Sequence, residues 1–160
     1  PVVHVNWHEA EAWCRWAGRR LPSELEWDVA ASGGPGGGPK HPYPWGAYSW
    51  GTGSGAGPPA NLDGRHGGAV DVGAYSRGDS AWGCRQMVGN VWEWTSSPFA
   101  PFPGFSPDPY RDYSAPWFGT RKVLRGGGWA TRSRIARSAY RNFFTPERSD
   151  VIAGFRTCAL

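Results

Sequence analysis

Residues 85–94 read Arg-Gln-Met-Val-Gly-Asn-Val-Trp-Glu-Trp. Two later segments have the same makeup, Lys122-Val-Leu-Arg-Gly-Gly-Gly-Trp129 and Ala153-Gly-Phe-Arg-Thr-Cys158. Each sets glycine beside tryptophan, phenylalanine or arginine. Such segments suit places where backbone passes close to a large ring or to a ligand.

The surrounding composition fits that reading. The 160 residues are expected to form a single domain, 1–160. Eleven Trp, seven Phe and six Tyr supply much of the apolar surface, and each large ring can remove on the order of 150–250 Å² from water. Rings of that size support a core with little regular secondary structure. Twenty-four Gly and fifteen Pro point the same way, because both interrupt helices and central strands.

The formal net charge is +4, but the basic residues are mostly arginines scattered among aromatics. A nucleic-acid partner calls for a Lys/Arg-rich stripe, so none is expected. No apolar run approaches the ~20 residues that span a bilayer, and no membrane association is expected. Cys14, Cys84 and Cys158 are odd in number and form no Cys-x-x-Cys. They read as reduced thiols in a cytoplasmic protein, with neither a disulfide framework nor a structural zinc site.

Along the chain, Pro1–Val5 reads as a strand. Asn6 with Glu9 approximates a capping box before apolar positions at Ala10, Trp13, Cys14 and Ala17, with Gly18 as the stop. Ser23 with Glu26 repeats the signal for a second helix, carrying Leu25, Val29 and Ala30 and reaching about Ala31. Residues 32–60 read as a packed loop around Tyr43-Pro-Trp-Gly46, and Pro98–Trp117 as a long aromatic loop. Further strands are expected at Ala69–Val72, Lys122–Arg125, Ile135–Tyr140 and Gly154–Cys158.

In order, Trp7-x-x-Ala10, Arg20-Leu-Pro-Ser-Glu-x-Glu-Trp27, Tyr43-Pro-Trp-Gly46, Gly89-Asn-Val-Trp-Glu-Trp94, Leu124-Arg-Gly-Gly127 and Gly154-Phe-Arg156 resemble the formylglycine-generating-enzyme (sulfatase-modifying-factor) domain. The resemblance implies a compact α+β fold related to C-type lectins, with the family's N-terminal strands outside this chain. Copper-binding members carry two cysteines after Arg-Gly-Gly, where thiolates serve as soft ligands. Here those positions fall near Thr131 and Ala136, which speaks against sulfatase activation.

A second set of motifs is similar to the C-terminal domain of ergothioneine-type sulfoxide synthases and of selenoneine synthases. It comprises Pro103-Gly-Phe105, Asp108-Pro-Tyr-Arg-Asp-Tyr-Ser114, Trp117-Phe-Gly119, Trp129-Ala-Thr131 and Tyr140-Arg-Asn-Phe-Phe144. This implies the substrate-cleft part of an enzyme that joins a thiol or selenium donor to the imidazole of trimethylhistidine. Fe(II) would be held by histidines of a separate N-terminal domain, which is itself a partner of this one. The competing expectations are a non-catalytic binding module of the same fold and a formylglycine-generating oxidase.

The resemblance also assigns residues. Trp129 and Arg134 line the cleft, Arg134 facing a donor carboxylate. Ala130 stands where some relatives have an acid, which leaves cysteine or a selenium donor open. Trp129, Phe143, Phe144 and the Pro98–Trp117 loop offer rings for a trimethylammonium group, and Tyr140 or Tyr113 a proton. Asn90 with Glu93, and Asn61, match segments that hold structural calcium, an ion that needs six to eight oxygens. The alternative for Glu93 is pairing with a buried Arg125 or Arg156. His4, His8, His41 and His66 are dispersed, so no iron site is expected within the chain itself.

Overall fold

In the computed structural model, residues 1–47 and 58–160 are described; the stretch 48–57 of the expected 32–60 loop lies outside them. Two helices pack beside a small mixed sheet, giving an α+β architecture. Helix α1 spans Trp7–Trp16 and α2 spans Glu24–Ser32. Both open on complete capping boxes. Asn6 Oδ1 accepts from the Glu9 amide at 2.9 Å, and Glu9 returns the bond to the Asn6 amide at 2.8 Å. Ser23 and Glu26 repeat the exchange at 3.2 and 2.8 Å. Each cap stabilises its helix by about 1 kcal/mol. Gly18, at φ +64°, turns the chain out of α1.

The strands are β1 (Arg19–Arg20), β2 (Trp92–Pro98), β3 (Lys122–Arg125), β4 (Arg141–Phe144), β5 (Ala153–Phe155) and β6 (Cys158–Ala159). A four-stranded sheet runs in the order β4-β3-β2-β5, and β1 pairs with β6. Strand β2 is antiparallel to β3, with Glu93 opposite Arg125, and parallel to β5, with Trp94 opposite Phe155. Trp92 and Trp94 pack with Leu124, Ala153 and the Ala10–Cys14 face of α1. Trp27, Ala31 and Met87 form a second cluster, and Ala60, Leu62, Val88 and Ala136 a third.

Several expectations need correction. Pro1–Val5 is not a strand: His4 sits at φ +60°, which breaks the extended path, and the segment is instead pinned where Trp94 Nε1 donates to the Val5 carbonyl at 2.9 Å. Ala69–Val72 is not a strand either, because the Val70 amide and carbonyl both bind the Asn90 side chain. Ile135–Tyr140 is a chain of turns, with the Ser138 amide drawn to the Pro42 carbonyl, and the strand begins only at Arg141. Gly154–Cys158 divides into β5 and β6, because Arg156 turns inward to Glu93. The buried residues of α2 are Trp27, Ala31 and Ser32, whereas Leu25 and Val29 are exposed. The Tyr43–Gly46 loop packs as expected, with the Tyr43 and Trp45 rings stacked at 5.3 Å. Cys14, Cys84 and Cys158 are free thiols, and burial pushes the Cys14 thiol up.

Candidate functional site

Two of the three glycine-rich segments, 85–94 and 122–129, meet Asn61 at one backbone junction. Gly89 (φ +87°) donates to the Gly126 carbonyl at 2.8 Å, and Asn90 (φ +68°) donates to the Asn61 carbonyl at 2.9 Å. The Asn90 carbonyl accepts from the Trp129 amide at 2.8 Å. A Cβ on Gly89 would lie 2.6 Å from the Asn61 carbonyl oxygen, and one on Gly126 would lie 2.8 Å from that of Met87. Glycine is therefore required twice over, by φ and by close approach.

From this junction the segment 127–133 runs as a wall. Thr131 Oγ1 accepts from the Gly128 amide at 3.0 Å and closes the turn. The Gly64 amide donates to the Trp129 carbonyl at 2.9 Å, and the Asp63 amide to the Thr131 carbonyl at 3.0 Å. The Ser133 amide donates to Asp63 Oδ1 at 2.9 Å. That bond holds the Asp63 carboxyl below its usual range, with Arg65 and Arg132 adding to the effect. Trp129 is half-buried and Arg134 exposed on this wall. Of the two positions where copper cysteines would fall, Thr131 is spent on the turn and Ala136 is buried in the third cluster.

The remaining aromatic candidates are placed further along. The Tyr140 ring meets Trp92 edge-on at 5.3 Å, and the Trp92 indole lies 3.5 Å from where a Gly128 Cβ would stand. Burial, then Tyr113, pushes the Tyr140 hydroxyl above the usual phenol range, so it stays protonated and can donate. Among the described residues, no ring pairing joins Phe143 or Phe144 to Trp129. Phe143 stacks on Phe99 at 4.0 Å and meets Tyr113 at 5.9 Å. Phe144 packs against the Trp92–Leu124 cluster, with Arg148 over its ring at 4.6 Å.

Glu93 is held by charge. Arg156 reaches its two oxygens at 2.5 and 2.7 Å, and Trp27 Nε1 donates at 2.7 Å. Burial alone would pull the Arg156 guanidinium down, but Glu93 outweighs it and the group ends above its ordinary value. Asn61 Nδ2 donates to Asn90 Oδ1 at 3.1 Å and to the Gly68 carbonyl at 2.9 Å, while Asn61 Oδ1 is buried without a partner. Beside them lies a cavity of about 220 Å³ whose lining includes Gln86, Gly89, Asn90, Val91 and Glu93. Gln86 Oε1 is also buried without a partner. Gln86 Oε1 lies in the same cavity as Glu93, and an orphaned amide oxygen beside a carboxylate suits a hard cation, although a cation at Glu93 competes with Arg156 and Asn90 Oδ1 already accepts from Asn61 and Val70.

Among the described residues no group of three or more His, Cys, Asp or Glu converges as a metal site. His4 contacts the Ser149 carbonyl, His8 approaches Glu147, and His66 bonds Tyr75. These residues do not fit an iron centre.

Two features were not visible in the sequence. Arg125, 2 % exposed, bonds Glu24 at 2.7 Å, Asp28 at 2.9 Å and the Ser138 carbonyl, and Arg141 bonds both oxygens of Glu24. Separately, Arg65, His66, Tyr75, Ser76 and Arg77 line a cavity of about 690 Å³. Arg65 adjoins Gly64, which is tied to Trp129, so this basic cavity continues the wall.

These junctions are those of a sulfatase-modifying type of domain. The chain belongs to the sulfatase-modifying factor enzyme 1-like domain family, whose model matches residues 1–159. It is 47% identical over 157 residues to a hercynine oxygenase of Mycobacterium tuberculosis, covering 98% of this chain and 36% of that protein. It is 38% identical over 172 residues to a formylglycine-generating enzyme of Streptomyces coelicolor, covering 99% and 52%. The chain thus spans about a third to a half of these relatives. PvdO from Pseudomonas aeruginosa shares the fold, with TM-score 0.72 and 24% identity over 98% of this chain and 60% of that one. The fold is the formylglycine-generating-enzyme fold, related to C-type lectins. No helix among the described residues is long and apolar enough to cross a membrane.

Proposed function

We propose that this chain is the substrate-cleft portion of an enzyme of the ergothioneine or selenoneine type, which joins a thiol or selenium donor to the imidazole of trimethylhistidine. The observation that carries this reading is the 47% identity to a hercynine oxygenase across 98% of the chain. Thr131 and Ala136 support it against the formylglycine-generating alternative, because neither offers a thiolate to copper. Iron, held by an N-terminal helical domain, would supply the oxidative chemistry when bound.

This chain's own residues would bind and orient. Arg134 offers a two-pronged donor to a carboxylate, and the Arg65–Arg77 cavity extends the positive field along the same wall. Trp129 presents a ring face to the cationic trimethylammonium group. Tyr140, kept protonated by burial, could hold a proton beside them.

The test is to incubate the whole protein with Fe(II), O₂, trimethylhistidine and cysteine, and to follow products by mass spectrometry. A carbon–sulfur adduct of trimethylhistidine is expected. No adduct with cysteine, γ-glutamylcysteine or a selenium donor, or formylglycine formed in a sulfatase peptide with copper, would overturn the assignment.

We also propose a structural calcium at Asn61, Asn90 and Glu93, with Gln86 beside the last two. At a hundredfold excess over its Kd, bound calcium stabilises by about 2.7 kcal/mol. Calcium should therefore raise the melting temperature and a chelator should reverse the rise. An unchanged melt leaves a calcium-free polar network in its place.

A further inference from the structure

The outer edge of the sheet carries a third cavity, of about 500 Å³, that shares no lining residue with the Trp129 wall. Its sides are apolar: Leu25 from α2, Pro98 and Pro101 after β2, Phe102 and Ala139. Its floor is ionic and built from Glu24, Asp28, Arg125, Arg141 and Lys40. A pocket of a few hundred cubic ångströms with apolar walls and a few convergent polar groups is the usual form of a small-molecule site.

Two observations say what fits there. The floor holds three cationic groups (Lys40, Arg125, Arg141) and two carboxylates (Glu24, Asp28), so it carries one excess positive charge. The pairs are already made: Arg125 to Glu24 and Asp28, Arg141 to Glu24, and Lys40 to Asp28. One further anion would make the floor neutral. Independently, Nε of the lining residue Arg125 is buried without a partner. Buried donors of this kind are costly to leave unmatched. Lys40 is 60% exposed at the mouth, and its ammonium has three donors, of which Asp28 takes one.

We propose that this cavity binds a small monoanion with an apolar body, a carboxylate carried on an aryl or alkyl group. The carboxylate sits between Lys40 and the Arg125 guanidinium, and the apolar part lies against Phe102, Leu25 and the prolines. The Phe102 ring already stacks on the Arg141 guanidinium at 4.3 Å, which fixes that wall.

The test titrates the protein with phenylacetate and, separately, octanoate, reading Kd by calorimetry and the arginine Nε–H signals by NMR. Saturable binding of at least one acid is expected, and which acid binds more tightly tells aryl from alkyl. Phenylacetamide, which lacks the charge, and acetate, which lacks the body, should each bind at least tenfold more weakly. Lys40→Met and Leu25→Ser change exposed rim residues and should leave the melt unchanged while each weakens binding about tenfold. No saturable binding of either acid at millimolar concentration, or binding that neither variant weakens, overturns the proposal. Unaltered turnover of trimethylhistidine in both variants separates this result from any failure of the main assignment.

Discussion

Arginine has opposite roles in two regions of this molecule. At the sheet, Arg156 and the terminal guanidinium nitrogens of Arg125 are consumed: Arg156 is held by Glu93 and the Arg85 carbonyl, and Arg125 by Glu24, Asp28 and the Ser138 carbonyl. On the loop wall, Arg134 is exposed and, among the described residues, engages no carboxylate. The first kind fixes where elements sit, whereas the second is open to a ligand. Residue type alone does not separate them. Separation comes from what the backbone brings alongside.

The comparison breaks most readily at Arg125. Arg125→Met leaves Glu24 and Asp28 at the α2–β3 contact without their shared cation, and stability measured by urea unfolding should fall by about 3–5 kcal/mol. A loss below 1 kcal/mol would mean that the network does not hold α2 to the sheet. Next comes the junction itself. Gly89→Ala meets both a positive φ and the Asn61 carbonyl, so about 2–3 kcal/mol should be lost. Gly67→Ala, at φ +65° with open space around it, should cost only about 1 kcal/mol, and the difference isolates the close approach.

On the wall the expected effect is on substrate and not on stability. Arg134→Ala should leave the melt unchanged and raise the donor KM about ten- to a hundredfold in the whole enzyme. Arg134→Lys should recover part of it, because an ammonium lacks the fork. Unchanged donor kinetics would remove Arg134 from the site. The smallest effect belongs to Glu26, whose carboxyl is pulled down to about 2 by Arg20 first and by Ser23 next. A depressed acid contributes stability above its ordinary value, and that contribution is lost as pH falls from about 4.5 towards about 2. The pair is nearly half exposed, so the loss should stay below about 1 kcal/mol. Glu26→Gln should flatten the acid limb of the stability curve by that amount.

What could be read in the sequence followed local chemistry. The caps at Asn6 and Ser23, strand β3 and the packed Tyr43–Gly46 loop all depend on neighbours a few residues away or on strong motif order, whereas the choice of Arg156 over Arg125 for Glu93 is made only across the fold. The central strand β2 is not among the expected strands although Trp92-Glu93-Trp94-Thr95 alternates apolar and polar residues; both its faces are buried, the polar one around the Glu93–Arg156 pair. Ile135–Tyr140 carries a strand-like composition, but Pro42 and Arg132 capture its amides. The basic cavity draws on residues 65–66 and 75–77, two loop stretches with no shared period, so no pattern could announce it. The Arg125 network joins residues about a hundred positions apart.

The junction at Gly89, Asn90 and Gly126 has a consequence for how such a protein changes over time. The amide and carbonyl of Trp129, the carbonyl of Thr131 and both main-chain groups of Asn90 are tied to other main chain. The side chains at 129, 130, 132 and 134 take no part in those ties. Chemistry at the wall can therefore be rewritten one side chain at a time while the peptide path stays put. Evolution, or a randomised library at these four positions, gains new specificities without first having to repair the scaffold.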